Sequence, residues 1–226
     1  QAISHKRTFL GWNRPWVDLF SDWLAQEPER LRHRMVVVPT REAGRRLREI
    51  LVGKVAKTGD GAILGPHVVT PDEFFRPDQL MPDAVRWAGW LEVLRLTGDG
   101  AVAALFPAGL ERQDNGWRLA VVQQIEMARE LLISGKLDFA EVARIIPEDG
   151  NRWSELAQLE QRVVAQWKQW GVPDPVGAKK NRALNPVLPQ GVREIIVAGV
   201  ADPTSLAIEA WSRLERPDGT PWDRAR

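Results

Sequence analysis

The hydrophobic pattern at the start of the chain predicts strands that alternate with helices. Residues 8–12 (Thr-Phe-Leu-Gly-Trp) and 35–38 (Met-Val-Val-Val) are apolar runs without alternation, as is typical of strands buried on both faces of a parallel sheet. A third strand region lies at residues 63–69. Apolar positions 16, 19, 20, 23 and 24 have helical spacing, and residues 41–57 predict a second helix. This order predicts an α/β fold with a parallel sheet and flanking helices.

The pattern changes after residue 75, and no strand is predicted from there to residue 186. Helices are predicted over residues 83–97, 115–134, 138–146 and 152–170, while the proline- and glycine-rich residues 171–191 predict no element. The apolar residues 195–200 then predict another strand, and Asp202-Pro203 predicts the cap of a last helix. We therefore expect an α/β domain made of residues 1–75 and 190–226, interrupted by an all-α insertion of residues 76–189.

Composition narrows the class of protein. The chain has 226 residues, of which 44% are hydrophobic and 27% charged, which excludes disordered and collagen-like chains. It has no cysteine, which excludes a disulfide scaffold, and no apolar stretch long enough to predict a membrane span. The polar N-terminus is unlike a signal peptide, so we expect a cytoplasmic protein. Since the chain does not begin with Met, we expect it to be a piece of a longer polypeptide.

Charge and tryptophan are unevenly distributed. The net charge is only +1, but residues 1–60 hold 12 Lys or Arg against seven Asp or Glu. This excess is typical of a solvated helix face and also of a surface that contacts phosphates. Eleven tryptophans occur without any tyrosine. Five of them, at positions 16, 23, 117, 167 and 211, lie on apolar stripes and predict core packing, whereas Trp12 lies in a predicted loop.

Most catalytic motifs are missing. After the first predicted strand, Gly11-Trp12-Asn13-Arg14-Pro15 is too short and bulky for a P-loop, which needs backbone N–H groups around the phosphates. No lysine has an acidic residue two positions before it, as the metal site of a PD-(D/E)XK nuclease requires. The three histidines are isolated and no G-x-S-x-G occurs. We therefore expect this chain to be non-catalytic by itself, with no cofactor and no metal.

Three segments together resemble a family. Residues 35–48 (MVVVPTREAGRRLR) are similar to the strand-Pro-Thr-Arg motif of AddB-type proteins, at the position of helicase motif Ia. Residues 64–74 (LGPHVVTPDEF) resemble the next strand and its Thr-Pro turn, and residues 195–206 (IIVAGVADPTSL) resemble the segment at the motif II position. The order of the segments also fits, with a helical 1B-type insertion between the second and the third.

This resemblance implies the N-terminal region of an AddB-like protein of the PD-(D/E)XK nuclease family, with a fold like helicase domain 1A. Gly11, Trp12 and Asn13 would be a degenerate nucleotide loop, and Ala198-Gly199 stand where motif II acids are expected. The domain would then be an inactivated helicase of the RecC and AddB type, which guides DNA and leaves ATP hydrolysis to an AddA-like motor subunit. The whole protein would be an exonuclease subunit of double-strand-break repair, with its nuclease domain outside this chain.

The residues themselves indicate where DNA would bind. Ligands of parallel α/β sheets bind at the carboxyl ends of the strands, and Thr40 and Thr70 each follow such an end. Their hydroxyls and the helix N-termini after them can contact phosphate oxygens. Arg41 and Arg14 are expected to converge there, and Arg45 lies one helical turn further on. The partner would be single-stranded DNA or a duplex end.

Two other hypotheses remain open. The same fold would serve as a scaffold that docks the motor subunit and makes no DNA contact of its own. Alternatively, the loops at residues 13–15 and at Thr40 would belong to an α/β enzyme acting on a small phosphorylated substrate. The lack of an acid–base or metal constellation argues against this enzyme.

Overall fold

The computed structural model describes residues 8–55, 64–110 and 113–214 and divides the chain into two compact units. The α/β unit comprises Gln1–Phe75 and Ala183–Arg226, and the helical unit comprises Arg76–Arg182. The sequence predicts boundaries after residues 75 and 189, and the structure places them after residues 75 and 182. The described helices and strands are, in chain order, α1 (Trp16–Leu24), β1 (Arg34–Val37), α2 (Arg41–Val55), β2 (His67–Val69), α3 (Asp83–Arg95), α4 (Asn115–Ser134), α5 (Phe139–Ile145), α6 (Gly150–Gln169), α7 (Pro175–Leu184), β3 (Glu194–Val197) and α8 (Ser205–Arg213).

A three-stranded parallel sheet of order β2-β1-β3 organises the α/β unit. All four residues of the central strand β1 are buried. Three of them, residues 35–37, belong to the unbroken apolar run that predicts burial, and the fourth is Arg34. Val37 is the register partner of both Val69 and Val197, so all three strands end at the same level. The prediction of an α/β fold with a parallel sheet is therefore confirmed, and the sheet has three strands.

The helices α1 and α2 complete the core of this unit. Phe20 and Leu24 of α1 and Leu47 and Leu51 of α2 are buried in one cluster with Val36 of β1. The cluster explains the helical spacing of apolar positions in residues 16–24, because these positions form the face that packs inward.

A buried arginine joins the first residues of β1 and β3. Arg34 is 2% exposed, and its Nε donates to Glu194 Oε2 at 2.7 Å. The same guanidinium binds Glu27 and lies 5.4 Å from the ring centroid of Trp23. Burial disfavours the charge, but the hydrogen bonds to Glu194 and Glu27 keep the pKa of Arg34 above its ordinary value. Arg34 and Glu194 are also register partners, so this ion pair aligns two strands that are distant in sequence.

The helical unit packs around two tryptophans. Trp90 of α3 and Trp167 of α6 are fully buried and meet edge to face, with ring centroids 6.4 Å apart. The four helices predicted from the sequence correspond to α3, α4, α5 and α6, and the bounds of α4 coincide with the prediction. No strand occurs between residues 76 and 182 in the described part of the chain.

The first predicted strand is wrong. Residues 8–12 form no strand, and Phe9 and Trp12 are 73% and 88% exposed. Both edges of β1 are occupied, by β2 and β3, so no position beside the central strand is left for residues 8–12. The apolar run is instead a loop that packs only Leu10 against the core.

The other predicted strands are shorter than expected. The strand predicted at residues 63–69 covers only His67–Val69, and residue 63 lies outside the described residues. The strand predicted at residues 195–200 is Glu194–Val197. Its end is set by Gly199, whose φ of +69° turns the chain, and a Cβ at this position would lie 3.4 Å from the ring of Trp16.

Two helix starts also differ from the prediction. Thr204, rather than Asp202, caps α8 by accepting a hydrogen bond from the Ala207 N–H at 3.3 Å. A helix, α7, forms within residues 171–191, where none is predicted. Asp174 begins it by accepting from the Val176 and Gly177 N–H groups at 3.2 and 2.9 Å, which outweighs the glycine in its first turn.

The contact between α3 and α6 gives a test of packing in the helical unit. A Cβ at Gly89 would lie 2.1 Å from the buried Nε1 of Trp167, so Gly89→Ala forces the indole out of its position. We expect a loss of about 1–3 kcal/mol, measured by urea unfolding. Gly53→Ala in α2 is the control, because nothing lies within 4 Å of its Cβ and it should gain about 0.5–1 kcal/mol. Equal effects of the two changes would contradict this packing.

Candidate functional site

The carboxyl edge of the sheet is the candidate site of the α/β unit. We use this name for the segments that follow the three strands, residues 38–41, 70–73 and 198–204. Because the strands are parallel and in register at their last residues, all three segments leave the sheet at one edge. The structure therefore brings the ends that precede Thr40 and Thr70 together, as the sequence predicts. Ligands of open parallel sheets bind at this edge.

Both threonines use their hydroxyls locally. Thr40 caps α2, because its Oγ1 accepts from the Ala43 N–H at 3.1 Å and its carbonyl accepts from Gly44. The Thr70 hydroxyl donates to the Asp72 carboxylate, at the start of a short 3₁₀ helix, Pro71–Phe75. Thr40 is exposed and Thr70 half-buried. Each can contact a phosphate only in addition to these bonds.

The arginines differ in how they are held. Arg14 is bound by Asp22 at 2.7 Å, and Lys54 and Arg14 hold the pKa of Asp22 below its ordinary value. Arg45 is bound by Glu42 at 2.5 Å and lies 3.8 Å from Glu49. The expected convergence of Arg14 on the carboxyl edge is therefore opposed by its ion pair along α1.

Arg41 is the free arginine among the predicted DNA-binding residues. It is the first residue of α2, it is exposed, and the described residues offer it no hydrogen bond or ion pair. Arg46, which the site prediction leaves out, is likewise exposed and has no partner in the described part of the chain. The accessible positive charge at this edge is thus concentrated at the start of α2.

The loop predicted as a degenerate nucleotide loop lies before α1. Gly11 has a φ of +94°, Trp12 projects into solvent, and Asn13 is also exposed. The loop ends at α1, whose first residue, Trp16, packs against Gly199 at the carboxyl edge. Where a P-loop would present a run of backbone N–H groups, this loop presents an aromatic side chain.

The helical unit holds a second cluster of charged groups, which the sequence analysis misses. Arg129 of α4 is 2% exposed and binds Glu160 Oε1 at 2.5 Å and Asp174 Oδ1 at 3.2 Å. Its guanidinium lies 5.5 Å from the Trp167 ring centroid. Glu126, one turn before it, is also buried and accepts from Trp90 Nε1.

The periphery of this cluster contains further ion pairs. Arg86 Nε lies 3.1 Å from Glu126 Oε2, although the two atoms are not aligned as a hydrogen bond, and Arg86 also pairs with Asp83. Lys179 binds Glu130. Burial raises the pKa of Glu126 above its ordinary value, against the pull of Arg129, the Trp90 N–H and Arg86. The carboxylates around Arg129 come from α4, α6 and the start of α7, and Glu126 is also bound by Trp90 of α3. The cluster therefore fixes the packing of these four helices.

The sequence carries a signal for this cluster. The predicted stripe of α4 (positions 117, 121, 125, 128 and 132) lies beside the most buried face, which contains Val122, Glu126, Arg129 and Ile133. Glu126 and Arg129 are three residues apart on that face, and on α3 Arg86 lies four residues before the buried Trp90. The opposite charges of Glu126 and Arg129 at this spacing inside an apolar face indicate a buried ion pair.

The described residues contain no group of three or more His, Asp or Glu side chains that could hold a metal ion. None of the described helices is long and apolar enough to cross a bilayer. Comparisons of the chain with protein-family models, curated proteins and solved structures found no match.

Substitution of Arg129, the buried cation of the cluster, tests whether its ion pairs stabilise the helical unit. Arg129→Met leaves Glu126, Glu160 and Asp174 without their common partner, and we expect it to cost about 3–5 kcal/mol in urea unfolding. Arg95→Met is the control, because Arg95 makes an exposed pair with Glu92 at 2.8 Å, and removal of a solvent-exposed pair should leave the urea midpoint nearly unchanged. Similar losses in the two variants would show that the buried pairs do not hold the helical unit together.

The raised pKa of Glu126 predicts a pH dependence. The folded chain keeps the proton of Glu126 to higher pH than the unfolded chain does, so this group stabilises the fold below its ordinary pKa of 4.5. This contribution of Glu126 to stability is lost as the pH rises through the raised pKa of its carboxyl group. Relative to Glu126→Gln, wild type should therefore become less stable between pH 4.5 and neutrality, by urea midpoints. A difference that is constant, or that grows in favour of wild type, would contradict the burial effect.

Proposed function

We propose that this chain is a non-hydrolysing, helicase-like module that binds and guides DNA at the carboxyl edge of its sheet. In this proposal the α/β unit corresponds to a helicase 1A-like domain that has lost its P-loop, and the helical unit to a 1B-like insertion. The larger assembly would be an AddAB-type helicase–nuclease of double-strand-break repair. An AddA-like motor subunit would supply the ATP hydrolysis.

The observation that carries the proposal is the position of Arg41. It is an exposed cation that pairs with no carboxylate among the described residues, at the N-terminus of a 15-residue helix that follows the carboxyl end of the central strand. The partial positive charge of the helix N-terminus adds to that of the guanidinium, and both favour a phosphate. Thr40 and Thr70 at the same edge add hydroxyls that can contact the neighbouring oxygens.

The chemistry of the loop before α1 supports a role without hydrolysis. Residues 11–15 offer one glycine and no lysine, so they cannot surround a triphosphate as a P-loop does. At the end of β3, Ala198 and Gly199 provide no carboxylate for a magnesium ion. A DNA-guiding role requires neither of these groups.

Anisotropy with fluorescent single-stranded DNA and a tailed duplex, from low to physiological salt, tests the proposal. Wild type should bind, and log K should fall linearly with log salt. Arg41→Ala should weaken binding and reduce the slope by about 0.7 for a single strand, because one phosphate contact is lost. Arg45→Ala is the matched control one turn away, and it should have a smaller effect because Glu42 holds that arginine.

The result that would overturn the proposal is the absence of binding to both DNAs at low salt. Equal effects of Arg41→Ala and Arg45→Ala would remove the carboxyl edge as the binding site and leave only a diffuse electrostatic attraction.

A second candidate function is a scaffold for the motor subunit. It is favoured by Met127 and Leu131, two exposed apolar side chains one turn apart on α4. Binding of an AddA-like subunit by a chain that binds no DNA would support this function. Substitution of Met127 and Leu131 by serine should then abolish the complex in size-exclusion chromatography.

A further inference from the structure

Two aromatic side chains of the loop before α1 are exposed to solvent. Trp12 is 88% exposed and Phe9 is 73% exposed, while Leu10, between them in sequence, packs against the core. The tryptophans that were expected to lie on apolar stripes, such as Trp16 and Trp167, are half-buried or buried in this structure. Two exposed aromatic groups in contact with each other indicate an interaction surface.

The geometry of the two rings leaves room for a flat ligand. Phe9 and Trp12 meet edge to face, with centroids 5.4 Å apart and planes at 64°. In an edge-to-face pair, the ring that presents its edge has both of its own faces uncovered by the other ring. A planar aromatic group can stack on an open face, whereas a broad apolar protein surface would need exposed aliphatic neighbours. Along residues 8–15, the other exposed side chains are Thr8, Asn13, Arg14 and Pro15.

The electrostatic surroundings admit an anionic partner. Residues 8–17 contain no acidic residue, and the one arginine among them, Arg14, is paired with Asp22. The loop leads into Trp16, which contacts Gly199 at the carboxyl edge, and β3 lies next to β1, which leads to Arg41. A polyanion bound at that edge therefore passes close to the loop.

We infer that Trp12, with Phe9, is a stacking platform for an unpaired base of single-stranded DNA. This inference rests on the proposed function and makes it more specific, because bases in an intact duplex are stacked on each other and offer no free face. The platform recognises the flat face that every base shares, so it confers preference for single strands without a preference for sequence. Phosphates bind at the carboxyl edge, and a base stacks beside them.

The test is binding of the full 226-residue chain to fluorescent oligothymidylate and to an abasic oligonucleotide of the same length. Wild type should bind the abasic strand about fivefold or more weakly, since the stacked base is missing. Trp12→Ala should lose a similar factor on oligothymidylate and nothing further on the abasic strand. Trp12→Phe should restore part of the loss, and Trp170→Ala, at a tryptophan 43% exposed in the helical unit, should have no effect.

The outcomes separate this inference from the proposed function. Equal binding of both oligonucleotides by wild type, which requires no variant to fold, overturns the stacking platform and leaves DNA binding at the carboxyl edge intact. Equal losses on both oligonucleotides in Trp12→Ala also overturn stacking, because the loop would then act on the backbone. Failure of wild type to bind either oligonucleotide removes the proposed function itself.

Discussion

The ion pair between the buried Arg34 and the partly exposed Glu194 is the constraint on which the α/β unit depends. These residues begin β1 and β3 and lie opposite each other, although the whole helical unit separates them in sequence. A buried charge is tolerated only where its partners are in place, so a shifted register would remove Glu194 and leave Arg34 with Glu27 as its remaining carboxylate. Glu27 and the Trp23 ring complete its surroundings and tie the sheet to the end of α1.

The register set at this end of the strands determines the opposite end. Because Val37, Val69 and Val197 end level with each other, the segments carrying Thr40, Thr70 and Gly199 leave the sheet at one edge. Trp16 then packs against Gly199 and brings the loop of Trp12 to that edge. A cationic helix start and an exposed aromatic loop are thus held by one framework, and this arrangement is the basis of the proposed DNA-guiding role.

Much of this framework is visible in the sequence, and the exceptions have physical causes. The unbroken run at residues 35–38 predicts the central strand, and α4 follows its predicted bounds because Asp114 caps its start and Gly135 follows its last residue. Residues 8–12 have the same composition as a strand but do not join the sheet, because pairing of strands is a tertiary property that composition does not determine. In the candidate site, Thr40 and Arg41 can be predicted from the sequence because ligands of parallel sheets bind at the carboxyl ends of the strands. The ion pairs that hold Arg14 and Arg45 depend on side-chain directions that the sequence does not reveal.

The central claim is that DNA occupies the carboxyl edge of the sheet. Hydrogen–deuterium exchange of the chain with and without single-stranded DNA tests it most directly, since it locates the bound surface without any substitution. The account predicts slower exchange in residues 11–14, 40–44 and 198–204, with the helical unit unchanged around Arg129. Protection confined to the helical unit, or binding that slows exchange nowhere at this edge, would contradict it.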